Sequence, residues 1–174
     1  MENTALKVLF HRRSVRQYTD EKVERKLLDT VLKAGTYAPT GGGRQQIKIV
    51  AVQAEEDVAE IKRLNAAVTA RQGDPYYGAG TIVLILAYPE NHNADLDGAA
   101  VCTNMLNAAD ALGLGACWIN RSREVFAGEG GKDLLRKWGL RDDLVGVASF
   151  ALGYIKGEYP EPAPRREDYI TVIS

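Results

Sequence analysis

Residues 81–88, TIVLILAY, form an unbroken apolar run rich in β-branched side chains, and Pro89 ends it. A strand with one face in water alternates polar and apolar residues. A run without alternation therefore predicts a strand buried on both faces, at the centre of a sheet with a packed layer on each side. The flanking sequence offers those layers. Val23, Leu27, Leu28, Val31 and Leu32 recur at helical spacing, with Asp20 as the candidate N-cap and Gly35 near the end. Lys48–Val52 alternates briefly and predicts a strand, after which Val58, Ile61, Leu64 and Val68 return to helical spacing. Asp97–Leu112 (DGAAVCTNMLNAADAL) predicts a helix with small apolar residues on most sides and Gly113 as its C-cap. Such a helix needs cover from the sheet and further helices, or from a second copy of the chain.

Ala116–Ile119 and part of Leu144–Ile155 read as strands, and Asp133–Trp138 as a short helix stopped at Gly139. Gly157–Arg166 (GEYPEPAPRR) holds three of the six prolines and cannot pair regularly in a sheet. Tyr169–Ile173 regains β character, so the chain is expected to end in an extended arm and an edge strand. Strands interleaved with helices predict an α/β layered fold. With 174 residues and 45% hydrophobic composition, residues 1–174 suit one domain with one core.

Net charge is −1 and the sequence pI about 6.2, which gives no global field for nucleic acid or an anionic membrane. Any anion site must be a local concentration of positive charge. No apolar run reaches the length of a membrane span and the first residues do not resemble a leader, so a cytosolic protein is expected. Cys102 and Cys117 lack metal-ligand spacing and the only histidines are His11 and His92, so buried, reduced thiols and no metal site are expected.

Arg12-Arg13-Ser14-Val15-Arg16 is that local concentration. If the segment is extended, Arg12, Ser14 and Arg16 share one face; if it is helical, Arg12 and Arg16 still do. Guanidinium forks match phosphate oxygens, and Val15 on the opposite face would anchor the segment to the core. The alternative is a solvated basic turn that pairs with Asp20 or Glu24.

A second constellation is Ala38-Pro39-Thr40-Gly41-Gly42-Gly43-Arg44-Gln45. Three successive glycines permit positive φ and let backbone lie against a flat or charged ligand; the alternative is a flexible linker. Nucleotide-binding glycine motifs do not match. Asn65, at the polar edge of its helix, can donate to and accept from a ring amide, or is an exposed surface residue. Arg165 and Arg166 end the proline-rich arm, where they can reach a phosphate or form a basic tail. Cys117 and Trp118 read as core packing, since no partner histidine accompanies the thiol.

Taken in order, RRSVRQY, APTGGGRQQ, NMLNAADALGLGACWIN and LGYIKGEYPEPAPRR resemble the small nitroreductases over almost the whole chain. The resemblance implies an α+β fold with a mixed central sheet flanked by helices. It also implies a homodimer with exchanged C-terminal arms, and FMN at the subunit interface. By the same resemblance Arg12 and Ser14, with Arg13 beside them, lie at the phosphate and ribityl end, and Arg16 reaches the N1/C2 side of the ring. Pro39, Thr40, Gly41 and Gly42 line the ring from the second subunit, with Gln45 near the ribityl chain or pyrimidine edge. Asn65 lies at that edge, the backbone of Asn120 and Arg121 approaches N5 and C4, and Arg165 or Arg166 completes the phosphate clamp.

The activity implied is transfer of hydride from NADH or NADPH through flavin N5 to a nitroaromatic, quinone or similar small acceptor, by a ping-pong scheme. No catalytic side chain is needed, because the cofactor carries the chemistry. A flavin-binding or redox-sensing protein without efficient turnover, or a specialised flavin dehydrogenase of the same fold, are the other outcomes. The family often has Asn within the glycine loop and Pro-Trp after its Gln, where this chain reads Gly43-Arg44-Gln45-Gln46-Ile47. It also lacks the long helical insertion with which larger members cover the site.

Overall fold

The computed structural model describes residues 3–70 and 72–174. Helices α1 (Thr4–His11), α2 (Arg25–Gly35) and α3 (Glu55–Thr69) are followed by α4 (Ala94–Ala111), α5 (Ser122–Ala127) and α6 (Glu129–Lys137). Strands β1 (Ile47–Val52), β2 (Thr81–Ala87), β3 (Leu114–Ile119) and β4 (Val145–Tyr154) form one sheet in the order β1-β2-β4-β3. All three strand pairs are antiparallel, with Leu84 opposite Val50 on one side and Ser149 on the other. Among the described residues the one parallel pairing is the isolated bridge of Ser14 to Ala116, which lies outside the four strands, so the sheet itself is antiparallel where a mixed sheet was expected.

Every residue of β2 is buried, as its unbroken apolar run predicts. Ile82, Leu84 and Leu86 face a layer built with Ile61 of α3, Phe126 of α5 and Leu135 of α6. Val83 and Ile85 face the opposite layer, with Leu28 and Val31 of α2 and Val101, Cys102 and Met105 of α4. Period-two alternation on a central strand thus divides the core between two helical layers. Helix α4 buries one broad stripe, Asp97, Gly98, Val101, Cys102, Met105, Leu106 and Ala109, while Leu96 on its other side is 74% exposed. Gly113, at φ +73°, ends the helix and turns the chain into β3.

Three expectations need correction. Asp20 does not cap α2, which starts at Arg25 behind Glu24 with no side-chain cap; Val23 is buried from the preceding loop. The sequence reading lacks two helices, α1, capped by Asn3 Oδ1 on the Ala5 amide at 2.9 Å, and α5. Tyr169–Ile173 forms no strand: residues 167–169 make a short helical turn, and Tyr169, Ile170, Val172 and Ile173 are exposed. A strand needs a pleated neighbour, and one copy of the chain offers the arm none.

Candidate functional site

Residues 12–18 run extended along the outer edge of β3. The Val15 amide donates to the Ala116 carbonyl at 3.1 Å and the Thr19 amide to the Tyr154 carbonyl at 3.0 Å. Val15 and Tyr18 turn into the core, and the Tyr18 hydroxyl donates to the Val15 carbonyl at 2.6 Å. Extended geometry places Arg12, Ser14 and Arg16 on the face opposite Val15. Seven other arginines, Arg25, Arg63, Arg121, Arg123, Arg136, Arg141 and Arg166, each hold a carboxylate. Arg12 and Arg16, by contrast, pair with no carboxylate among the described residues, so the basic-turn alternative with Asp20 or Glu24 is not what forms.

Arg16 lines a cleft of about 320 Å³ together with Asn65, Tyr77, Cys117, Asn120 and Arg121. Asn65, expected at a polar edge, is 1% exposed, and its Nδ2 donates to the Asn120 carbonyl at 2.8 Å. It thereby fixes the turn after β3, where Arg121 takes φ +76° as the residue before α5. The Arg121 guanidinium points elsewhere, to Glu124 at 2.7 Å, which leaves backbone to face the cleft. Burial pushes the Cys117 thiol up, while the charges of Arg16 and Arg12 and a Ser14 hydrogen bond pull against it. Cys102 is pushed by burial to about 12. Neither thiol is a poised nucleophile, as expected from their apolar surroundings.

Arg13 faces the other way from its neighbours. Its Nη1 donates to the carbonyls of Phe10, His11 and Arg12 at 2.7, 2.6 and 3.0 Å, satisfying the end of α1. Its Nε is buried without a hydrogen-bond partner. The Arg13 amide donates to Tyr159 Oη at 2.8 Å, and Tyr159 also reaches Asp110 and stacks on His11 at 4.3 Å. The base of the C-terminal arm is thus tied to α1 and α4.

Pro39, Thr40, Gly41, Gly42 and Gln45 lie elsewhere, in the turn that enters β1. Gly42 and Gly43 have φ +60° and +67°, and Gln45 has φ +54° with its amide on Thr40 Oγ1 at 3.1 Å. Thr40 and Gln45 border a smaller pocket of about 100 Å³ floored by Ile47, Ile49 and Val101. The turn is held by Asp97, 5% exposed, whose Oδ1 accepts from the Gly41 amide at 2.8 Å and whose Oδ2 accepts from Asn91 Nδ2 at 3.1 Å. A Cβ on Gly41 would sit 2.3 Å from Asn93 Nδ2, the end of an exposed side chain that would have to move aside. Asp97, which holds this turn in place, carries no mark in the sequence. An acidic residue in a first helical turn is ordinary, and nothing in the sequence marks this one as buried.

The two groups occupy opposite edges of the sheet, β3 and β1. Three strand spacings of about 4.8 Å separate these edges, roughly 14 Å. Arg165 and Arg166 join neither group: both are exposed on the arm, and Arg166 pairs with Asp168 at 2.8 Å. Among the described residues no group of three or more His, Cys, Asp or Glu side chains is arranged to hold a metal ion. No helix among them is long and apolar enough to cross a membrane.

The family model described as the nitroreductase family matches residues 9–154. The chain belongs to the nitroreductase family. This nitroreductase-family chain is 29% identical over 157 residues to an Archaeoglobus fulgidus protein provisionally named an NADH dehydrogenase/NAD(P)H nitroreductase. The match covers 88% of the chain and 86% of that relative. Its fold is similar to a Bacteroides fragilis nitroreductase solved with bound FMN, with TM-score 0.91, 26% identity, and coverage of 99% and 100% of the two chains. A Desulfitobacterium hafniense nitroreductase shares the fold at TM-score 0.89 and 24% identity over the full length of both chains.

Proposed function

We propose that this nitroreductase-family chain is an FMN-dependent oxidoreductase that passes electrons from NADH or NADPH to a small acceptor, such as a nitroaromatic or quinone, in ping-pong fashion. The observation that carries the reading is the pair Arg12 and Arg16, on one face of an extended, anchored segment, with Arg16 lining the cleft and neither guanidinium neutralised by a carboxylate among the described residues. Uncompensated positive charge at a concave surface favours an anionic ligand.

FMN, when bound, supplies hydride acceptance at N5 and two-electron delivery to the acceptor. The chain's residues supply position and charge. Arg12 and Ser14 hold the phosphate and ribityl end, and Arg16 lies toward the pyrimidine side of the ring, where negative charge gathers on reduction. Asn65 holds the Asn120–Arg121 backbone toward the ring edge.

The glycine turn completes the site from a second copy, because in one chain it lies at the opposite edge of the sheet. Exposed Leu9 and Phe10 on α1, Leu96 on α4 and the apolar arm end support such a dimer, with Arg165 or Arg166 brought to the phosphate by arm exchange. We read residues 1–174 as one cytoplasmic domain of this dimer, supported by the single sheet that both core layers share.

Arg12→Ala and Arg16→Ala test the reading. Each is expected to lose flavin on purification and after reconstitution, with activity lost as a consequence. Full flavin occupancy in both variants would overturn the assignment.

A further inference from the structure

The segment that leads into β2 carries an unusual residue. Tyr77 has φ +57°, a left-handed conformation that bulky side chains rarely adopt. The turn that imposes it is clasped by one carboxylate: Asp74 Oδ1 accepts from the Tyr76 amide at 2.7 Å, and Oδ2 accepts from the Gly78 amide at 2.8 Å. Lys62 of α3 holds the same Oδ2 at 2.8 Å. Below the turn, Tyr76 is 1% exposed and its hydroxyl bonds Ser149 Oγ at 2.9 Å, which pins the segment to β4. Groups on both sides of residue 77 are therefore fixed, and the strained residue between them projects its ring toward the cleft.

What the ring meets there is Arg16, whose Cζ lies 5.9 Å from the Tyr77 ring centroid, within reach of a cation–π interaction. Arg16 has little else to hold it: its side chain reaches the Ser14 carbonyl at a long 3.3 Å and pairs with no carboxylate among the described residues. A long, exposed guanidinium held so lightly samples many rotamers.

We propose that Tyr77 is a positioning residue that fixes the Arg16 guanidinium in the cleft, and thereby sets how strongly the site favours the reduced, more negative flavin. The proposal rests on the FMN reading above and adds to it a specific determinant of the cofactor's potential. The strain at residue 77 is the structural consequence: the Asp74 clasp holds an unfavourable backbone so that an aromatic face stands against the charge.

The test is the midpoint potential of FMN bound to the wild-type protein, Tyr77→Phe and Tyr77→Leu, with thermal midpoints recorded on the same samples. Phenylalanine keeps the π face, and leucine keeps bulk without it. An exposed cation–π contact corresponds to roughly twofold to fivefold in affinity. Losing that factor for reduced flavin alone lowers the potential by about 9 to 21 mV, at about 29.6 mV per tenfold for a two-electron couple. Tyr77→Leu is expected to show that drop while Tyr77→Phe keeps the wild-type value. Asp74→Asn, which weakens the clasp, is expected to fall between them. A wild-type potential in a folded, FMN-loaded Tyr77→Leu variant would overturn the proposal and leave the FMN reading standing. Failure of the wild-type protein to take up FMN would overturn both.

Discussion

Asp97→Ala tests whether the glycine turn is held in place or merely passes by. The carboxylate is buried at the start of α4 and satisfies two donors, the Gly41 amide at 2.8 Å and Asn91 Nδ2 at 3.1 Å. Alanine leaves the Gly41 amide without an acceptor and Asn91 Nδ2 with only the Gln46 carbonyl at 3.3 Å, at about 1–3 kcal/mol each; water at the partly exposed Gly41 and the remaining Gln46 contact place both toward the lower end. Loss of a negative charge in the first helical turn adds about 0.3–1 kcal/mol. The sum is roughly 2–4 kcal/mol, a substantial share of a stability of about 5–15 kcal/mol. At about 2–4 °C per kcal/mol for a chain of this size, the thermal midpoint should fall by roughly 4–16 °C. Asp97→Asn keeps one oxygen for Gly41 but turns an amide donor toward Asn91, so it should lose less. Thermal unfolding of both variants, with FMN affinity measured well below the midpoint, checks the argument. Unchanged stability in Asp97→Ala, or a larger loss in Asp97→Asn, would refute it.

Other consequences are equally direct. Asn65→Ala leaves the Asn120 carbonyl without its 2.8 Å donor and should cost about 1–3 kcal/mol in denaturant unfolding, with a matching loss of flavin affinity. Folding raises Cys102 from 9.0 to about 12 and Tyr76 from 10.0 to about 12, in both cases chiefly by burial. Groups raised in this way add stability that is intact below pH 9 and is lost as pH climbs from 9 toward 12. The guanidinium midpoint should therefore be clearly lower at pH 10.5 than at pH 7.5, and equal midpoints would contradict the burial of these groups. Deleting residues 160–174 removes the exposed apolar arm end, and sedimentation should then show monomer with reduced flavin content.

The parts of the fold legible in the sequence were those where burial leaves a periodic trace. The run over Thr81–Ala87 had no polar break, so its central place in the sheet followed; α4 followed as a helix, but it buries one stripe where its small residues predicted cover on most sides. Val23 misled for the same reason: it is buried and in phase with α2, but a loop buries it. Tyr169–Ile173 carried β-forming side chains whose partner is absent from a single copy, and side-chain preference alone does not supply a ladder.

The site was legible only where charge repeats along an extended backbone. Arg12, Ser14 and Arg16 share a face on spacing alone, and that same spacing sends Arg13 to the carbonyls of α1. Asp97 and Tyr77 gave no such sign. Their importance comes from a buried position and from a backbone angle, and both are set by contacts distant in sequence.

The most direct test of the central claim compares FMN with riboflavin, which lacks only the phosphate, in titrations of the flavin-free protein followed by flavin fluorescence. Charge-assisted hydrogen bonds contribute about 1.5–3 kcal/mol each. If Arg12 and its neighbours hold the phosphate, FMN should bind at least about a hundredfold more tightly, and Arg12→Ala should erase most of that difference. Equal affinity for the two flavins would contradict the account.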